Sequence, residues 1–278
     1  MADRFAARRA AFRALHAEGC FLLPNPWDAG TARFLEGQGF AALATTSSGA
    51  AHARGRADGA LDLDATLSNM EEIVAATALP VNADFGNGFG ADPGAVAASV
   101  ARCIATGIAA LSIEDATGDA ARPLFPLEEA VARMRAARRA IDAAGGEVML
   151  VGRAECFLTG HPDPLAESLR RIAAYAEAGA EVLYVPGLTT ADQIAAVVRA
   201  ASPRPVNVLI SRPIGLDLPA LAALGVRRVS VGGALAGIAW GAVARAAAEL
   251  KAGRFGVLAG RMPGAALDRL FAGTAGVA

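Results

Sequence analysis

The chain has 278 residues and a formal net charge of −1, with 26 Lys and Arg against 27 Asp and Glu. That balance gives no electrostatic reason to expect a nucleic acid or an anionic membrane surface as partner. Hydrophobic residues make up 54% and charged residues 19%, which excludes a disordered chain and supplies the side chains for one large core.

The first segment, Met1 to Ala17, sets Asp3, Arg4, Arg8, Arg9 and Arg13 among alanines and the apolar Phe5, Phe12 and Leu15, which predicts an amphipathic helix with His16 on its surface. Its scattered charges leave no apolar stretch for a secretory signal, and no later run reaches the roughly 18 apolar residues of a membrane span. The expectation is a soluble, cytoplasmic protein. Cys20, Cys103 and Cys156 are far apart and odd in number, as in a reducing compartment without structural disulfides.

From residue 20 onward short β-rich runs alternate with alanine-rich stretches of helical period. The expected strands are Cys20 to Leu23, Ala41 to Thr45, Pro80 to Ala83, Ala109 to Ile113, Val148 to Val151, Val182 to Val185, Val206 to Leu209 and Arg228 to Val231. The helices that follow them run over Ala29 to Glu36, Ala65 to Ala76, Pro93 to Thr106, Leu127 to Ala144, Leu165 to Ala178, Ala191 to Ala201, Leu218 to Leu224 and Leu235 to Ala252, with a short one over Pro263 to Phe271. Eight such alternations are the pattern of an α/β fold, the (β/α)8 TIM barrel, and residues 1–278 are read as one domain.

Catalytic groups of such a barrel sit at the C-terminal strand ends. Those positions carry Asn25-Pro26-Trp27-Asp28, Thr45-Thr46-Ser47-Ser48-Gly49, Asp84 followed by Gly86, Gly88 and Gly90, Glu114-Asp115, Arg153 with Glu155, Tyr184 to Pro186, and Asn207. Asp84 and Glu114 close adjacent strands, and two carboxylates facing one cavity repel unless a cation or a shared proton compensates them. Mg²⁺, which takes few carboxylates and keeps waters and substrate oxygens, is the simplest compensation; either acid could instead cap a helix or pair with an arginine. Arg153 could grip a substrate carboxylate in two parallel hydrogen bonds or make an internal salt bridge to Glu155 or Asp115. Ser48 and Gly49 could present backbone N–H groups to an enolate oxygen or form an ordinary turn. Gly232-Gly233 suits a phosphate site or a tight turn, and His52 and His161 fall in expected loops.

These residues, with Asp58-Gly59, Val81-Asn82-Ala83-Asp84, Gly88-Phe89-Gly90, Ile113-Glu114-Asp115, Gly152-Arg153, Val185-Pro186 and Pro205-Val206-Asn207-Val208, resemble the isocitrate lyase and phosphoenolpyruvate mutase superfamily over nearly the whole chain. The resemblance implies a barrel whose last helix is exchanged between subunits of a homodimer or homotetramer. It implies Mg²⁺ held through Asp84 and Glu114 with Asp58 nearby, and a 2-oxo acid met by Ser48, Gly49, Arg153 and Asn207. Catalysis would then rest on Arg153, Asp58 and Glu114 and run through an enolate. Three departures narrow the reaction. No lysine-rich loop with cysteine and histidine is present, the loop after Glu114 reads Ala116-Thr117-Gly118-Asp119-Ala120-Ala121-Arg122-Pro123 without the lysine and asparagine of the mutases, and Gly86 stands where an acid is common. The expected function is a Mg²⁺-assisted lyase for a small 2-oxo or 2-hydroxy dicarboxylate. The alternatives are phosphonopyruvate hydrolase or mutase chemistry, and a catalytically weak 2-oxo acid binder.

Overall fold

The computed structural model describes residues 5–272. Its strands are β1 (Phe21–Leu23), β2 (Leu43–Ala44), β3 (Val81–Asp84), β4 (Ala110–Glu114), β5 (Met149–Arg153), β6 (Val182–Tyr184), β7 (Val206–Leu209) and β8 (Arg228–Ser230). All neighbours pair in parallel, in the order β1-β8-β7-β6-β5-β4-β3-β2. Between β1 and β2 the Ala44 N–H donates to the Pro24 carbonyl at 3.0 Å. The Asn25 side chain reinforces that seam: its amide donates to Thr45 O, while its carbonyl accepts from Val231 N and Gly232 N. Eight parallel strands thus form a nearly closed (β/α)8 TIM barrel.

The helices are α1 (Ala6–Ala14), α2 (Ala29–Gly37), α3 (Ser47–Ala53), α4 (Leu63–Ala76), α5 (Pro93–Ala105), α6 (Leu127–Ala143), α7 (Pro164–Glu177), α8 (Ala191–Ala201), α9 (Leu218–Ala223), α10 (Ala234–Lys251) and α11 (Gly264–Ala272). Many begin where a short polar side chain takes up a first-turn N–H. Asp28, Thr46, Asp62, Asp92, Asp163, Thr190 and Asp217 each accept from the N–H three residues on. The Asp28 of the first strand-end motif is therefore a helix cap.

Two apolar layers hold the barrel. The outer one, between strands and helices, includes Leu43, Val81, Leu111, Leu150, Leu183, Val208 and Val229, and burial of each such side chain contributes about 1.5–3 kcal/mol. The inner one contains Leu23, Ala44, Ala110, Met149, Val151 and Val182, with Phe12 of α1 seated beneath them. Because side chains alternate along a strand, Ala110, Ser112 and Glu114 face inward in sequence, as do Met149, Val151 and Arg153. The inner surface so passes from apolar at the bottom to polar at the C-terminal strand ends.

Two expectations, on His16 and His52, are corrected. His16 is 8% exposed, enclosed by the rings of Phe12 and Phe21, because α1 folds under the barrel instead of lying on its outside. Residues 47–53 form a helix, so His52 is helical and not in a loop. Of α10 only Ala236 is buried, and Ile238, Trp240 and Val243 are exposed. Residues 1–4 of the expected first helix lie outside the described residues. Among the described residues no helix is long and apolar enough to cross a membrane, and Cys20, Cys103 and Cys156 are free thiols.

Candidate active site

The strand ends bring Asp84, Glu114 and Arg153 together from three consecutive strands. Glu114 and Arg153 are direct cross-strand partners in the β4–β5 ladder. Arg153 Nη1 lies 3.1 Å from Asp84 Oδ1 and 3.2 Å from Glu114 Oε2, Nε pairs with Glu155, and the guanidinium carbon stands 5.2 Å from the centroid of the Tyr184 ring. All three carboxylates are largely shielded from water, Glu155 most of all. Burial, joined by repulsion from Glu155, Asp84 and Asp115, pushes Glu114 up to about 8 despite the opposing pull of Arg153. Burial likewise raises Glu155. Burial alone would lower Arg153, but Glu114, Glu155 and Asp84 outweigh it and keep the guanidinium charged.

Asp84 is also fixed from the β2 side. Its Oδ2 accepts from the backbone N–H of Ser47 at 2.9 Å and from the Ser47 hydroxyl at 2.8 Å, and its own N–H donates to Thr45 Oγ1. Ser48 lines the cavity beside these groups. Gly49 sits behind the wall, with its N–H donated to the N-cap hydroxyl of Thr46 at 3.3 Å. A Cβ on Gly49 would lie 2.7 Å from Thr46 Cγ2 and 3.3 Å from Ala236 Cβ, so glycine there permits α3 to pack under the start of α10. Asp58 is exposed and borders the mouth. Asn207 is buried, donating to Ser230 Oγ and accepting from Arg228.

Asp115, the neighbour of Glu114 in sequence, faces away from this group. It accepts from Arg171 at 2.9 Å, from the Tyr175 hydroxyl and from the Glu155 N–H, and so anchors the segment after β5 to α7. Of the two internal partners considered for Arg153, Glu155 is the one engaged. The loop after β3 is clamped by Arg133 of α6, whose Nη2 donates to the carbonyls of Asn87 and Gly90 while its guanidinium stacks 4.1 Å from the Phe125 ring. Gly90 is required for that loop, since a Cβ would meet Val96 N at 2.3 Å. Gly86 has φ 52° and open space around its α-carbon.

Two connected volumes open at this end of the barrel. An inner cavity of about 140 Å³ is lined by Ser48, Asp84, Arg153, Tyr184, Asn207 and Arg228 among others. A wider mouth of about 600 Å³ is bordered by Asp58, Gly86, Phe89, Glu114, Thr117 and Leu158. Arg228 was not anticipated from sequence; the signal available was an arginine two residues before Ser230 on a barrel strand, hence on the inward face.

Asp84 and Glu114 suit a hard divalent cation by donor type, because three carboxylates surround one guanidinium and leave negative charge in excess. Among the described residues no group of three or more His, Cys, Asp or Glu is arranged to hold a metal by itself. A cation there would complete its shell with water and substrate oxygens, which is how Mg²⁺ is usually bound.

A phosphoenolpyruvate phosphomutase family model matches residues 12–251. A Burkholderia cenocepacia J2315 structure provisionally assigned as a lyase/mutase superposes with TM-score 0.94 at 49% identity, covering 97% of this chain and 98% of that one. A second structure from the same organism, provisionally a phosphonomutase, gives TM-score 0.80 at 37% identity over 90% and 99%. An oxaloacetate decarboxylase of Rhodopseudomonas palustris (strain BisB5) is 34% identical over 257 residues, 88% of this chain and 86% of the relative.

Proposed function

The chain belongs to the phosphoenolpyruvate phosphomutase family, and from that premise we propose that it is a carbon–carbon lyase for a small 2-oxo or 2-hydroxy dicarboxylate. The observation that carries this reading is the convergence of Asp84, Glu114 and Arg153 at the strand ends, where Asp84 and Arg153 line the inner cavity and Glu114 borders its mouth. The likeness to an oxaloacetate decarboxylase supports the reaction class.

Asp84 and Glu114 are the residues that would hold a divalent cation, for which Mg²⁺ is the best match in donor type. When bound, such a cation polarises a 2-oxo group and steadies developing negative charge. Arg153 and the Ser48 amide orient the anionic head of the substrate, Asn207 shapes the cavity floor, and Asp58 stands at the mouth, where a group entering or leaving can exchange a proton. In decarboxylation the bond between C3 and C4 of oxaloacetate breaks and its electrons stay on C3 as the enolate. Carbon dioxide leaves, and one proton added at C3 gives pyruvate. Residues 1–278 act as one catalytic domain in this reading, and the exposed apolar side chains of α10 suit exchange of that helix in a homodimer or homotetramer.

The test is turnover of oxaloacetate, methylisocitrate, 2-oxoglutarate and phosphonopyruvate with and without Mg²⁺. The expected result is Mg²⁺-dependent formation of pyruvate from oxaloacetate, with no phosphate released from phosphonopyruvate. Phosphate release would favour phosphorus–carbon chemistry, a reading supported by the likeness to the provisional phosphonomutase but weakened by the absence of lysine and asparagine after Glu114. Saturable binding without turnover would favour a 2-oxo acid binder.

A further inference from the structure

The inner cavity is lined by two guanidinium groups in opposite electrostatic states. Arg153 is enclosed by Asp84, Glu114 and Glu155. Arg228, at the start of β8 and 2% exposed, donates from Nε to Asn207 Oδ1 at 3.0 Å and from Nη1 to Asn82 Oδ1 at 3.3 Å. Both acceptors are neutral amides. Beneath it lie the Phe12 ring, 6.0 Å from the guanidinium carbon, and the buried His16, and among the described residues its hydrogen bonds go to Asn207 and Asn82 and not to an Asp or Glu. Burial draws its pKa down to about 10, so the group remains a cation at neutral pH.

A buried cation without a counter-ion is unfavourable unless something else supplies the opposite charge. Asn207 and Asn82 satisfy hydrogen bonds but not charge, and both line the same cavity as Arg228. With about 140 Å³ the cavity is far below the volume of sites for drug-sized ligands and suits a molecule of a few carbon atoms. Its upper end carries Asp84, Ser47, Ser48 and Arg153, and its floor carries the uncompensated charge.

We propose that Arg228 is a specificity-determining residue, the counter-ion of the second carboxylate of the substrate, with Asn207 and Asn82 holding it in place. The proposal rests on the reading of the site as one for small dicarboxylates, and deepens it. A monocarboxylate engaged at the strand ends leaves Arg228 unpaired, whereas a dicarboxylate spans both ends, so the buried charge selects against the shorter anion.

The experiment is calorimetric binding of malate and of 2-hydroxybutyrate, in which a methyl group replaces the second carboxylate, in buffer containing MgCl₂. The wild type is expected to favour malate. Arg228→Met should weaken malate by about 30-fold or more, the usual effect of removing one partner of a buried charge pair, and leave 2-hydroxybutyrate within about twofold. Arg228→Lys should recover part of the preference. Asn207→Asp keeps the arginine and gives it an internal carboxylate, so it should also erase the preference for malate, and it carries the test if Arg228→Met does not fold. A purely packing role for Arg228 would not move the ratio of the two affinities. A folded Arg228→Met or Asn207→Asp protein with the wild-type ratio overturns the proposal, as does a wild type that binds the two ligands equally, and in both cases the lyase reading stands. A wild type that binds neither ligand overturns the dicarboxylate reading and this inference with it.

Discussion

The guanidinium of Arg153 on β5 reaches across β4 to the carboxylate of Asp84 on β3, 3.1 Å away. One cation thereby holds together acids from the ends of the adjacent strands β3 and β4 and from the segment after β5. Arg153→Met removes that cation and leaves Asp84, Glu114 and Glu155 facing one another in a shielded space. Breaking a buried ion pair from one side costs about 3–5 kcal/mol, so denaturant unfolding should show a loss of that order, together with a fall in kcat and a rise in KM. Arg153→Lys should recover stability better than activity, because a lysine restores charge but not the planar fork that meets Asp84, Glu114 and Glu155 together. Wild-type kinetics in a stable Arg153→Met protein would remove Arg153 from the site.

Asp84 has a second anchor in Ser47, whose N–H and hydroxyl both reach Oδ2. Asp84→Asn preserves shape and most hydrogen bonds but removes one negative charge from the proposed cation site. Mg²⁺ affinity, read by calorimetry in the absence of substrate, should fall by about tenfold or more, in line with changes to metal-site partners, and chelation of divalent ions should stop turnover in the wild type. Full turnover in excess EDTA would remove the metal from the reading. Ser47→Ala, which keeps the backbone donor, should weaken the ion less than Asp84→Asn.

The barrel and its strand ends were legible in the sequence because both follow from strong local patterns: β-branched apolar runs, helix stops at glycine, and acids or arginine placed where a strand runs out. Residues 47–53 were not legible as a helix, since Ser47, Ser48 and Gly49 are weak helix formers and only the Thr46 cap and tertiary packing under α10 decide the matter. Arg228 was missed for a related reason. Nothing in its neighbours along the chain marks it, and its meaning comes from Asn82 and Asn207, which are distant in sequence and meet it only once the barrel closes. The pairing of Arg153 with Glu155 rather than Asp115 likewise depends on Arg171 and Tyr175 claiming Asp115 first.

Buried His16 makes acid stability a second test of the fold. Burial, then the nearby Arg228, lower its pKa from 6.5 to about 3, while its ring nitrogen Nδ1 keeps a 2.8 Å contact with Phe12 O. Below about pH 6.5 the unfolded chain takes up a proton at this ring that the folded protein refuses until about pH 3. Its contribution to stability is complete above pH 6.5 and is lost as pH falls towards 3, by at most about 1.4 kcal/mol per pH unit. His16→Phe, which fills similar space without titrating, should flatten that part of the stability profile in denaturant melts at pH 7, 5.5 and 4.5. Equal slopes for the two proteins would mean that His16 titrates normally in the fold.

Helix α10 starts beside the cavity at the C-terminal strand ends and is largely exposed beyond its first turn. Its first turn packs Ala236 against Gly49 beside the cavity, yet farther along Ile238 is 66%, Trp240 52% and Val243 57% exposed. A run of large apolar side chains in water is unusual for a monomer and marks an association surface, and identical chains meet most often through closed symmetric contacts. The wild type should therefore sediment as a homodimer or homotetramer, and the pair Ile238→Asp with Trp240→Asp should yield a folded species near 28.0 kDa. Because the same helix supports Gly49 and begins at Gly233, which lines the inner cavity, dissociation should also lower kcat even though neither substituted side chain lines that cavity. A wild type that sediments as a 28.0 kDa monomer, or a fully active monomeric variant, would separate association from the site.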